Sequence, residues 1–295
     1  MKIFLIGRNG QVGFELWRAL SPLGNVEAVD FPELDLSDAE SIRKQLSAHR
    51  PDVIINAAAY TAVDRAEAEP DLARAINADA PGIIGRVASE IGARVIHYST
   101  DYVYDGTKPD AYVETDATNP LCVYGRTKRD GDLALAASGA QYFIFRTSWV
   151  FGAHGNNFVK TVLRLAAERD RLNIVSDQFG APTSAALLAD VTAQVLGQLR
   201  YRADNMPPSG VCHLVADGAT SWHGFAQAII AGAVARGRTM LIDAAAVRAI
   251  PTDEYPLPAR RPANSRLNTQ SLRQTFGLTL PSWQAGLDHV LDQLI

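Results

Sequence analysis

The chain has 295 residues, 47% hydrophobic and 20% charged, which is enough apolar material for a large core and enough length for two lobes. Its 28 basic and 32 acidic side chains give a net charge of -4, and no stretch concentrates the basic ones, so the electrostatic footprint of a nucleic-acid binder is absent. Cys122 and Cys212 lack metal or redox spacing, the N-terminal apolar run stops at Gly7, and no run is long enough to span a bilayer; the expectation is a soluble cytoplasmic protein without a disulfide framework, a signal peptide or a membrane partner.

In chain order, Lys2 to Ile6 reads as a first strand and runs directly into Gly7-Arg8-Asn9-Gly10-Gln11-Val12-Gly13, a GxxGxxG loop opening a helix with Val12, Leu16, Ala19 and Leu20 on one stripe. Glycines there let the backbone turn tightly and approach a pyrophosphate, whose charge is met by the helix N-terminus. The second strand, Asn25 to Val29, ends at Asp30, where a carboxylate can accept from adenosine ribose hydroxyls and repel a 2′-phosphate. Arg8 offsets that repulsion, so the pattern accommodates NADH or NADPH. Ser37-Asp38-Ala39-Glu40 reads as a capping box for the second helix. The third strand, Asp52 to Ala58, leads into Ala59-Tyr60-Thr61. Candidate cofactor contacts are Gly7, Gly10, Gln11, Val12, Gly13, Asp30, Asp35, Leu36, Ala59, Tyr60 and Thr61, although Asn56 to Ala59 reads equally as small-residue packing.

The fourth strand, Arg94 to Ser99, ends at Thr100-Asp101, and Tyr124-Gly-Arg-Thr-Lys128 follows on a helix. A spacing of four puts Tyr124 and Lys128 on one helix face, where an ammonium can lower the phenol pKa and reach the nicotinamide ribose. Thr100 can hold a substrate carbonyl against the phenol, so the trio Thr100, Tyr124 and Lys128 suits hydride delivery to a ketone with Tyr124 as proton donor; Tyr98, Tyr124 and Lys128 complete the cofactor contacts. Between these segments, Tyr104 to Pro120 is polar and turn-rich, as functional lids often are.

The fifth strand, Gln141 to Val150, carries Trp149, which suits either the apolar face of a sugar or a core. Beyond it, helical patterns cover 157–169, 187–199, 222–236 and 282–294, with 172–175 and 211–215 as short strands and candidates to return to the main sheet. The expected fold is α/β: a doubly wound, Rossmann-type parallel sheet over 1–150 forming a dinucleotide-binding domain, joined by those return strands, with 151–295 as mainly a smaller α/β substrate lobe. Arg260, Arg261 and Arg266 either neutralise a diphosphate or form a solvated basic turn.

The segments 10–13, 56–59, 97–103, 124–125, 146–150, 177–183 and 260–267 together resemble the extended short-chain dehydrogenase/reductase family, over nearly the whole chain. Within it, they are similar to the branch that reduces dTDP-linked keto sugars. That resemblance implies reduction of the 4-keto group of dTDP-6-deoxy-L-lyxo-4-hexulose to dTDP-L-rhamnose. It assigns catalysis to Thr100, Tyr124 and Lys128, and the sugar pocket to Asp101 and Trp149. Asn77 matches an asparagine that supports the active site in relatives, or is a helix packing residue. Related dehydratases carry a Glu where this chain has Tyr102, which argues against loss of water. The alternative from another class is a non-catalytic NAD(P)-binding regulatory subunit. Some relatives pair through a Mg²⁺ held by glutamates; Glu15 matches one, whereas Ala186 and Gln293 stand at the others, with Asp190 and Asp292 nearby in sequence, so no metal is expected and any homodimer should be metal-independent.

Overall fold

The computed structural model describes residues 1–201 and 207–295. The strands are β1 (Lys2–Ile6), β2 (Asn25–Val29), β3 (Val53–Asn56), β4 (Arg94–Thr100), β5 (Gln141–Thr147), β6 (Val150–Phe151), β7 (Asn173–Val175), β8 (Phe179–Gly180), β9 (Thr183–Ser184), β10 (Gly210–His213), β11 (Thr220–Ser221) and β12 (Arg248–Ile250). The α-helices are α1 (Gln11–Leu20), α2 (Ala39–His49), α3 (Val63–Ala66), α4 (Pro70–Arg74), α5 (Ala80–Ile91), α6 (Val123–Ala136), α7 (Phe158–Glu168), α8 (Ala185–Tyr201), α9 (Trp222–Ala235), α10 (Gln270–Phe276) and α11 (Trp283–Leu294).

Six strands form one sheet in the order β10-β5-β4-β3-β1-β2, every pair parallel. Such a sheet is buried on both faces, which is why β3 is the unbroken apolar run Val-Ile-Ile before Asn56. The two-residue strand period divides β1 between two cores: Ile3 and Leu5 pack with Leu16 and Leu20 of α1 and Leu188 and Val195 of α8, whereas Phe4 and Ile6 pack with Ile42 and Leu46 of α2 and Ile84 and Val87 of α5. A separate core of Phe151, Leu163, Phe225, Ile229, Trp283 and Leu287 supports the C-terminal half.

Of the two expected return strands, β10 does join β5, at the sheet edge. The 172–175 segment does not return: β7 follows α7 in the C-terminal core and pairs with β12 instead. The expected fifth strand breaks after Thr147, because Trp149 takes a left-handed φ of 50°, and β6 then pairs with β9. The second helix is capped by Asp38, whose carboxylate accepts from Glu40 N at 2.9 Å, while the Ser37 hydroxyl turns back to Asp35.

The 104–120 segment is fastened down. Tyr104 stacks on Tyr112 at 4.2 Å, and Asn264 Nδ2 donates to Lys108 O (2.6 Å) and Asp110 O (2.8 Å). Asp105 accepts from Thr107, Tyr112 and Asn119, bonds that hold its carboxyl well below the usual range. The lid expectation overlooked these tethers, of which only Asn264 lies far away in sequence and the rest are local to the segment.

Candidate active site

The glycine loop packs onto the end of β3. Gly7 has φ 94°, and a Cβ there would lie 2.7 Å from Ala58 N; a Cβ on Gly13 would lie 1.8 Å from Gly7 O. Only glycine permits this approach of loop to strand and of helix to loop. Helix α1 then starts at Gly10 with no side-chain cap and no acidic residue in its first turn, which leaves backbone N–H groups for an anion. The loop and helix therefore fit a dinucleotide pyrophosphate.

At the end of β2, Asp30 accepts from Asn9 N (2.9 Å) and Phe31 N (2.8 Å), and Arg8 is paired with Glu33 at 3.0 Å. Asp35 accepts from Ser37 N, and Leu36 is buried in the core. Ala59, Tyr60 and Thr61 follow β3. Asn77, inside a π-helical turn between α4 and α5, holds this segment by accepting from Tyr60 N (2.8 Å) and donating to Tyr60 O (3.0 Å), and its amide also reaches Thr127 of α6 at 3.3 Å. The Tyr60 hydroxyl donates to Glu69. Sequence reasoning missed a wall opposite: His154 stacks on Phe14 at 4.2 Å and contacts Asn9 O at 2.9 Å, and Asn157 donates to Gln11 Oε1 at 2.9 Å.

Thr100 ends β4, and α6 brings Tyr124 and Lys128 beside it. The helix starts where it does because Cys122 Sγ accepts from Gly125 N and Glu67 accepts from Val123 N at 2.7 Å. Thr100 donates to Asp101 Oδ1 (3.0 Å) and accepts from Tyr102 N (3.1 Å). Burial raises the Tyr124 phenol above its ordinary value, and the Thr100 hydroxyl works against that rise. Tyr102 packs edge-on against Tyr124 at 5.5 Å and offers no carboxylate for removing water. Lys128 is 1% exposed, donates to Tyr98 O at 2.7 Å, and is lowered by burial to about 8, with Asp132 opposing the shift. Asp101 is pushed up to about 6 by burial, and its Oδ2 makes no hydrogen bond among the described residues.

Tyr98 contributes differently from expectation. Its phenol turns into the core and bonds Thr192 of α8 at 2.6 Å, so only its carbonyl faces the site. Trp149 does not stand alone: its indole stacks on Trp222 at 3.7 Å and 12°, and a Cβ on Gly180 would lie 2.6 Å from it. Trp222 opens α9 and carries no local sequence signal linking it to Trp149. The guanidinium fork of Arg261 already holds Asp64 through two bonds of 3.0 and 2.8 Å, whereas Arg260 is exposed. Arg266 donates to Asn264 Oδ1 and to Pro109 O.

Arg18 donates to Glu15 (3.1 Å) and Asp190 (3.0 Å), and Arg236 donates to Asp292 at 2.7 Å. Protein cations thus already pair with Glu15, Asp190 and Asp292. We expect EDTA to leave both the sedimentation coefficient and the activity unchanged; a dimer that dissociates on chelation, or activity restored only by Mg²⁺, would point to Asp190 or Asp292 as substitute ligands.

The family model described as RmlD substrate binding domain matches residues 1–295. The chain is similar to the dTDP-4-dehydrorhamnose reductase of Shigella flexneri, 49% identical over 298 residues that cover 100% of this chain and 98% of the relative. Among solved structures, the dTDP-4-dehydrorhamnose reductase of Clostridium acetobutylicum superposes with a TM-score of 0.91 at 36% identity, covering 100% of this chain and 99% of the other. That of Bacillus anthracis, in complex with NADP, gives 0.88 at 33% identity and 99% coverage of both chains.

Proposed function

The chain belongs to the RmlD substrate-binding-domain family, and on that premise we propose that it is an NAD(P)H-dependent reductase acting on the 4-keto group of dTDP-6-deoxy-L-lyxo-4-hexulose to give dTDP-L-rhamnose. The observation that carries this reading is the gathering of Thr100, Tyr124 and Lys128 at the C-terminal ends of parallel strands, beside a glycine loop shaped for a dinucleotide. A bound nicotinamide supplies the hydride. Thr100 orients the keto oxygen, Tyr124 gives it a proton, and Lys128 supports the phenol electrostatically and binds the nicotinamide ribose.

Asp101 suits a sugar hydroxyl and the Trp149–Trp222 pair an apolar sugar face. Arg260 is the readier diphosphate partner, since Arg261 would first have to leave Asp64. In this reading residues 1–150 with β10 form the dinucleotide-binding unit, 151–295 supply most of the substrate lobe, and the enzyme works in the cytoplasm. No described helix is long and apolar enough to cross a membrane. The test is oxidation of NADH and NADPH followed by absorbance with the dTDP-keto sugar; absence of turnover with both cofactors rejects the reading.

On cofactor choice, the Asp30 carboxylate lies at the ribose end of the loop while Arg8 is neutralised by Glu33. NADH should therefore serve at least as well as NADPH, and Asp30→Ala should narrow the gap by removing the like-charge clash with a 2′-phosphate. Comparing kcat/KM for the two cofactors checks this, and strict NADPH dependence of the wild type would show that Arg8 outweighs Asp30.

A further inference from the structure

The amine of Lys128 ends a buried hydrogen-bond chain whose direction is fixed, at the other end, by a backbone amide. Ala58 N donates to Asn56 Oδ1 at 3.2 Å. With its oxygen so engaged, Asn56 turns its NH₂ group to His97, Nδ2 lying 3.2 Å from Nδ1. His97 Nδ1 is then the lone-pair nitrogen, and a neutral imidazole of that tautomer carries its proton on Nε2. His97 Nε2 lies 3.1 Å from Lys128 Nζ. Asn56 and His97 are each 1% exposed, and burial holds the imidazole well below its ordinary value, with any charge on Lys128 acting in the same direction, so it stays neutral whether Lys128 is protonated or not.

We propose that Asn56 and His97 are positioning residues that couple the charge of Lys128 to the tautomer of His97. In the arrangement present, His97 offers an N–H to Lys128, which must receive it with the lone pair of a neutral amine while donating to Tyr98 O. An ammonium needs the opposite polarity: the proton of His97 on Nδ1, the Asn56 amide turned over, and Ala58 N stripped of its acceptor. Ala58 N is the atom against which Gly7 packs, so a proton on Lys128 is linked to the floor of the cofactor loop.

The other ionisable group acting on Lys128 is Asp132 from its own helix and, through it, Arg146 of β5, which donates to that carboxylate at 3.1 Å. Asp132 favours the ammonium, whereas burial and the Asn56–His97 chain favour the amine. The chain therefore makes Lys128 a readier proton donor than it would be beside Asp132 alone. This deepens the reductase reading and rests on it for the role of Lys128.

The test is ¹⁵N-histidine NMR of the full chain, in which long-range ¹H–¹⁵N correlations identify the tautomer of each ring and His97→Gln assigns the signals. The His97 tautomer is expected to switch from Nδ1–H to Nε2–H with the same pH midpoint as Lys128, followed through ¹³C-labelled lysine. In Asn56→Asp, a carboxylate accepts from both Ala58 N and His97 Nδ1. That variant should hold Nδ1–H at every pH and move the Lys128 midpoint upward by about one unit, with the alkaline limb of kcat/KM following. A wild-type tautomer that stays constant through the Lys128 titration overturns the proposal, even if the variant fails to fold, and so does an Asn56→Asp chain that folds but titrates unchanged. Both NMR titrations are independent of turnover, so an inactive wild type would remove the reductase reading while leaving the coupling decided on its own result.

Discussion

Tyr124→Phe is expected to fold and bind cofactor as the wild type does while losing about two to four orders of magnitude in turnover, the usual worth of a positioned general acid. The substitution keeps the ring that Tyr102 packs against at 5.5 Å and deletes only the hydroxyl beside Thr100. The loss should therefore fall on kcat rather than on stability or on either Michaelis constant. Lys128→Met offers the contrast, because two tasks are proposed for that residue: its turnover should fall and its Michaelis constant for cofactor rise. Steady-state kinetics beside a cofactor fluorescence titration separate the two. Near-wild-type rates in Tyr124→Phe would take the proton-donor role away from the phenol, and unchanged cofactor affinity in Lys128→Met would remove the ribose contact.

The parts of the site written in local sequence were legible. The loop from Gly7 to Gly13 states its own geometry, since a Cβ at either end meets backbone, and the spacing of Tyr124 and Lys128 is a property of one helix. The ends of β1 and β2 also fall where the apolar runs stop. What stayed hidden depends on pairs that only the fold brings together. Nothing in the pattern around Trp222 says that it stacks on Trp149, and a left-handed residue at Trp149 cannot be read from a run that otherwise looks like one strand. Arg261 reads as a free cation beside prolines until α3 supplies Asp64. Tyr98 reads as a cofactor contact, yet strand alternation sends its phenol to Thr192 on the opposite side. His97, one residue earlier, faces Asn56 and Lys128 by the same alternation.

The second large effect is expected in the layer beneath the trio, from Arg146→Met. Arg146 is 6% exposed, donates to Asp132 Oδ2 at 3.1 Å and to the Tyr104 hydroxyl at 2.8 Å, and lies 5.3 Å from the Tyr104 ring centroid. Asp132 is 3% exposed and, among the described residues, otherwise receives only the Ser99 hydroxyl at 2.9 Å and the field of Lys128, while its Oδ1 makes no hydrogen bond among them. Removing the guanidinium strands this carboxylate in the core, and breaking a buried pair from one side destabilises by about 3–5 kcal/mol. The stranded carboxyl escapes by taking up a proton. Burial already raises its pKa above the usual carboxylate value, and loss of Arg146 raises it further. A carboxyl whose folded pKa exceeds its unfolded one binds more protons in the folded state, so its contribution to stability falls as pH rises through that interval. The deficit of Arg146→Met relative to wild type should accordingly be larger at about pH 8 than at about pH 5. Adding Asp132→Asn should recover part of it, because the unpaired charge is then gone. Urea midpoints at the two pH values for the single and double variants measure both effects. A deficit that is the same at both pH values and not relieved in the double variant would mean that Arg146 acts through its packing on Tyr104 rather than as the counter-charge of Asp132.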